Sequence, residues 1–166
     1  MTMLWIIAGL VLAFGFVAFF GAPYVPSLRG ELRRAFKDLY DVGPDDVVVD
    51  LGSGDGQVLA EAVRRGANGY GYELNPLLVL ASKLRLRSKA TIRLADMWSV
   101  TLPPETTLVY VFSVTRDSKK LGNYLQKQAD LRGRSFTVMT FGSHLKEFTP
   151  VKDLRAHTLY EIQPNK

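Results

Sequence analysis

The stretch that most constrains the fold is VVVDLGSGDGQV, Val47 to Val58. A β-branched run ends in Asp50 and Leu51, as a strand buried on both faces does. Gly52, Gly54 and Gly56 follow at alternating positions, and a helical pattern with Val58, Leu59, Ala62 and Val63 on one face begins at once. Strand, glycine turn and helix in this order open a βαβ unit, which implies a parallel sheet. The alternation continues. GYGYEL reads as a strand, and NPLLVLASKLRLRS as a helix with Asn75 as cap and Pro76 at its first position. ATIRLAD and TLVYVFSV read as strands, DSKKLGNYLQKQADLRG as a helix and SFTVMTFG as a fifth strand. The tail after Glu147 is expected to add one or two antiparallel strands at the edge. The predicted fold is α/β, a Rossmann-like mostly parallel sheet with helices on both faces. Such sheets bind ligands at the carboxyl ends of their strands.

The chain upstream differs. No charged residue precedes Arg29, and residues 3–22 are long enough to cross a bilayer core as a helix. A signal peptide would open with a positive segment, and none is present. Trp5 and Tyr24 suit the two interfaces, and Arg29, Arg33, Arg34 and Lys37 follow only after the apolar run. The expectation is a single-pass membrane anchor at 1–23, with the rest on the cytoplasmic or organelle-matrix side. Residues 24–43 read as linker and pre-domain helix, Ser27 its cap and Leu28, Leu32, Ala35, Phe36 and Leu39 its apolar face, and 44–166 as the ligand-binding domain.

The chain lacks cysteine and has two histidines, His144 and His157. Disulfides, zinc-thiolate sites and cysteine nucleophiles are excluded, and no metal is expected. Net charge is +5, but no lysine/arginine tract carries interleaved aromatics, so nucleic acid is not the expected partner.

The acidic residues around the glycines discriminate between ligands. The loop runs G-x-G-x-G rather than the dinucleotide G-x-G-x-x-G, with Asp50 before it and Asp55 inside it. A pyrophosphate there would meet two carboxylates. S-adenosylmethionine brings a sulfonium and an ammonium instead. The predicted cofactor contacts are Asp50, Gly52, Ser53, Gly54, Asp55 and Gly56. Glu73, ending the second strand, would accept from the ribose hydroxyls, a role that serves NAD equally. Asp96 would accept from the adenine amino group, with Met97 or Trp98 against the ring. The plainer alternative is that Asp50 and Asp96 cap turns and Glu73 is solvated.

With VDLGSGDGQVLAEAVRRGANGYGYELNPLLV, DMW and APYVPS in place, the sequence resembles the class I, seven-strand S-adenosylmethionine-dependent methyltransferases. Within them it is similar to the membrane-anchored protein-lysine methyltransferases of the ATP synthase c-subunit and adenine nucleotide translocase type. The resemblance runs from Ala22 to Trp98. It implies a methyl donor, an integral membrane protein as substrate, and a position for Tyr24 and Pro26 near the cofactor mouth. At the end of the fourth strand Ser113 and Thr115 replace the (D/N)PP(Y/F) signature of base methylases, and Ser113 and Tyr24 are the candidate acceptor-channel residues. The helix before the sixth strand is expected to be reduced or absent. A lipid or quinone head group as acceptor, and a non-catalytic donor-binding module, are the alternatives.

Overall fold

The structure, a computed structural model, describes residues 3–5, 9 and 29–165. Most of the predicted anchor at 1–23, and all of Tyr24, Pro26, Ser27 and Leu28, lie outside the described residues. Among the described residues no helix is long and apolar enough to cross a membrane.

Among the described residues seven strands form one sheet: β1 Val47–Leu51, β2 Asn68–Glu73, β3 Thr91–Leu94, β4 Leu108–Ser113, β5 Phe136–Gly142, β6 Lys152–Leu154 and β7 His157–Ile162. Their order is β3-β2-β1-β4-β5-β7-β6. The strands β1 to β5 are mutually parallel, while β7 runs antiparallel between β5 and β6. The tail thus adds two strands through antiparallel pairing at that side of the sheet, as expected. The later of them, β7, is the inner one, and the edge itself is the three-residue β6. Strand order reverses between β1 and β4, so the crevice expected to take a ligand opens beside the end of β1.

Helix α1, Arg29–Arg34, continues as a π-helical turn over Ala35–Leu39. It shares one face of the sheet with α2, Gln57–Arg64, and α3, Pro76–Leu86. Leu32, Phe36, Leu59, Val79 and Leu86 pack there on Val48, Tyr110 and Met139. The other face is covered by α4, Ser118–Arg132, through Leu121, Tyr124, Leu125 and Ala129 against Val49, Val109, Val138 and Tyr160. No helix lies between β5 and β6, as expected. The predicted cap Asn75 holds, its Oδ1 accepting from Leu77 N at 2.9 Å, and Gly133 closes α4 in the left-handed region.

Among the loop glycines, Gly56 has a structural duty distinct from ligand approach. Its φ is +79°, and a Cβ there would collide with Ser82 Oγ and lie 2.9 Å from Leu86, both on α3. Gly56→Ala combines left-handed strain with overpacking and is expected to cost about 2–4 kcal/mol. Thermal unfolding checks this, an unchanged Tm contradicting so close a contact of α2 with α3.

Candidate functional site

The loop after β1 is fastened from below. Gly52 N and Ser53 N both donate to Tyr72 O, at 2.9 and 3.0 Å, and Gly56 N donates to Ser53 O at 2.8 Å. Gly52 has φ +87° with open space where a Cβ would stand. A ligand can thus approach the backbone directly at Gly52.

Glu73 is the hub of the rim rather than a solvated end residue. It is 8% exposed. Its Oε2 accepts from Gly54 N at 2.9 Å and its Oε1 from Asn75 N at 2.8 Å. One carboxylate thus ties the glycine loop to the start of α3. A carboxylate offers about four acceptor positions, so two remain for a ribose diol.

Asp50 lies on the same face, because it pairs in register with Gly71, two residues before Glu73. It is 3% exposed, and among the described residues no donor reaches its carboxylate. Burial, then the charges of Glu73 and Asp55, push its pKa well above the ordinary carboxylate range. An unpartnered buried acid beside a second carboxylate is a place that favours a cation.

Asp55 is a different case. Its carboxylate pairs with Arg85 at 2.5 Å, and Arg85 also donates to its carbonyl at 2.9 Å. Asp55 therefore does not repel a phosphate as its bare charge in the loop predicts, because Arg85 compensates it. The negative character of the rim comes from Asp50 and Glu73. Ser53 is buried with its Oγ unpartnered among the described residues, over Gly71, where a Cβ would approach it to 2.7 Å.

Asp96 caps the short turn Met97–Ser99 by accepting from Trp98 N at 3.1 Å, and it remains exposed at the rim. That is the plainer role, with one oxygen left to accept. Met97 is half-buried against the α4-side core. Trp98 lies under Lys120 Nζ at 4.1 Å and edge-on to Tyr124 at 6.2 Å, so its ring belongs to the α4 wall.

Ser113 is buried, its Oγ without a partner among the described residues. Strand alternation puts it with Val109 and Val111 on the α4 face, opposite Asp50 and Glu73. Thr115 Oγ1 bonds Ser143 Oγ at 2.9 Å, and His144 is exposed in the loop after β5. On the Asp50 side, the ends of β4 and β5 carry Phe112 and Phe141, ring centroids 6.0 Å apart and both half-buried. Sequence reasoning passed over this pair. Alternation along VYVFS holds the signal, since Phe112 shares the face of Tyr110, which is in register with Asp50. Among the described residues no cluster of acids and histidines could hold a metal.

No family model matches the chain. It is 32% identical over 111 residues to the lysine N-methyltransferase of the ATP synthase c-subunit from Xenopus laevis, an alignment spanning 64% of this chain and 48% of that protein. The chain spans about half the length of this relative and of its human counterpart. A protein-lysine N-methyltransferase of Saccharolobus islandicus is 29% identical over 148 residues, 83% of this chain and 91% of that one. Among solved structures, an RNA methyltransferase from Salinibacter ruber in complex with S-adenosyl-L-homocysteine aligns with a TM-score of 0.74 and 27% identity. That alignment covers 86% of this chain and 95% of the other. The reversal of strand order at β1, the open glycine loop with its acidic rim, and these likenesses are those of a class I, seven-strand methyltransferase fold that takes S-adenosylmethionine.

Proposed function

We propose that the chain is a membrane-tethered protein-lysine N-methyltransferase that modifies an integral membrane protein. The observation that carries the lysine specificity is the likeness to two differently named sets of lysine methyltransferases, one matching almost the whole length of its relative. The uncharged stretch before Arg29 supports the tether.

The donor supplies an electrophilic methyl carbon, and this chain's residues bind, orient and exclude water. Glu73 holds the ribose, Asp50 faces the cationic end, Gly52 admits close approach, and Asp96 with Met97 stands at the adenine. Methyl transfer is an in-line displacement, so fixing the acceptor nitrogen on that line supplies much of the rate. Phe112 and Phe141 form an apolar wall that fits a lysine stem and, by desolvating its ammonium, favours the neutral amine that attacks. Ser113 ends the same strand on the opposite face and does not join this wall, and Tyr24 is a channel candidate from the sequence alone. Phe112→Ala is expected to lower kcat/KM for the protein acceptor about tenfold or more, with donor affinity within a factor of about two. Equal losses in both would assign Phe112 to the cofactor site.

A second reading, methylation of RNA, is favoured by the Salinibacter likeness. Incubation with labelled donor and whole membranes, then with purified RNA, separates the two. Label in a membrane polypeptide, placed on a lysine by peptide mass mapping, supports the proposal. Label only in RNA, or only in extracted lipid, overturns it.

A further inference from the structure

The α1–α2–α3 layer presents an outer surface that the methyl-transfer chemistry does not use. Helix α3 buries Val79, Ser82 and Leu86 against the sheet. Leu77, Leu80 and Leu84 stand on the opposite side of the helix and are exposed, Leu80 to 56% and Leu84 to 70%. Leu74, just after β2 and beside Glu73, is exposed as well. Three exposed leucines along one helix face are more than scattered surface apolarity.

The ridge is flanked by positive charge. Arg85, ion-paired with Asp55, lines a groove with Arg29, Arg33 and Arg64, whose acid is Glu61, so four arginines face two carboxylates. Glu61 is buried under Arg33 and Arg64, 3.4 and 2.5 Å away, so the arginines form the outer layer. Lys83 on α3 and Arg87 just beyond its end are exposed as well. Leucines flanked by arginines and lysines on one helical layer are the composition of an interfacial face, apolar residues entering the acyl boundary and cations meeting phosphates. Nucleic acid would use the arginines but leave the leucines in water. The uncharged segment ends at Arg29, itself a wall of the groove, so a bilayer holding that segment lies next to this surface.

We infer that the leucine ridge of α3 and the arginine groove beside it dock the domain flat on an anionic lipid bilayer. The cofactor rim then sits at head-group level, where a lysine at the membrane surface can reach it. This rests on the tethered reading above.

The chain has no cysteine, so single-cysteine labels are unambiguous. Full-length Leu80→Cys carrying an environment-sensitive fluorophore is reconstituted into phosphatidylcholine vesicles with or without phosphatidylglycerol, with brominated acyl chains as quencher. Lys127→Cys, exposed on α4, is the opposite-face control. The expected result is several-fold stronger quenching at 80 than at 127, dependent on phosphatidylglycerol and abolished by adding Leu84→Glu, with donor binding unchanged. Flotation of the chain with vesicles while the label at 80 stays aqueous overturns the docking and leaves the tether standing. Failure to float overturns both. Shielding of the label by a second copy, seen as dependence on protein concentration without lipid quenching, or by added RNA, also overturns it.

Discussion

Glu73→Ala is expected to lose donor affinity by about a hundredfold or more and to destabilise the apo domain in the same step. The two effects have separate origins. Affinity falls because two charge-assisted acceptors for the ribose hydroxyls disappear, each worth about 1.5–3 kcal/mol. Stability falls because Gly54 N and Asn75 N lose their common acceptor inside a rim that is 8% exposed at Glu73. Two buried donors left unmade cost about 2–6 kcal/mol together. Calorimetric titration with S-adenosyl-L-homocysteine well below the Tm, alongside thermal melts, reads both. Glu73→Gln should fall between, because its amide keeps one acceptor but turns its NH2 towards a backbone donor. A variant that melts like the parent yet fails to bind would mean that the loop is held by the Tyr72 carbonyl alone.

The dual role of Glu73 was only half legible in the sequence. Its place at a strand end follows from the pattern YGYEL, which identifies a rim residue with ribose in reach. Its hold on Gly54 does not follow, since that bond joins positions 19 apart through the curl of the loop. Asp55 shows the same limit more sharply. The loop position is evident in DGQ, but the partner Arg85 is 30 residues away on a different helix, and it offsets the charge of Asp55. The strands were readable because each is an apolar run between turn residues. The order of the last two was not, because a three-residue strand such as β6 has no signal of its own and β7 is positioned by long-range pairing with β5. Trp98 had the composition of an adenine platform. Lys120 and Tyr124, more than a strand away in sequence, claim its ring. Phe112 was legible through alternation, because the valines around it face α4 while it faces with Tyr110.

Asp50→Asn is expected to do the opposite of Glu73→Ala to stability and the same to binding. Burial and the charges of Glu73 and Asp55 raise the folded pKa of Asp50 above its unfolded value of 3.8. A group with that shift binds its proton more tightly when folded, so its ionisation opposes folding. The cost is absent at the acid end, grows as pH rises from the unfolded value, and is complete above the raised folded pKa. Asparagine has no charge to bury. Its gain, on the order of 1 kcal/mol, is therefore full at high pH and shrinks as pH falls through the folded pKa towards 3.8. Donor binding runs the other way. The carboxylate faces a cation, so parent affinity should rise with pH over the same window, with a proton released on binding. Asp50→Asn should bind on the order of ten- to a hundredfold more weakly and without that slope. Melts across pH, and titrations in buffers of different ionisation enthalpy, measure both arms. A variant with lower Tm at high pH would show that the ionised carboxylate is satisfied by the protein itself, and the acid would then be a structural fastener of β1. A higher Tm with lost affinity would identify Asp50 as a charge kept in the core at the expense of stability, because the ligand that compensates it is cationic.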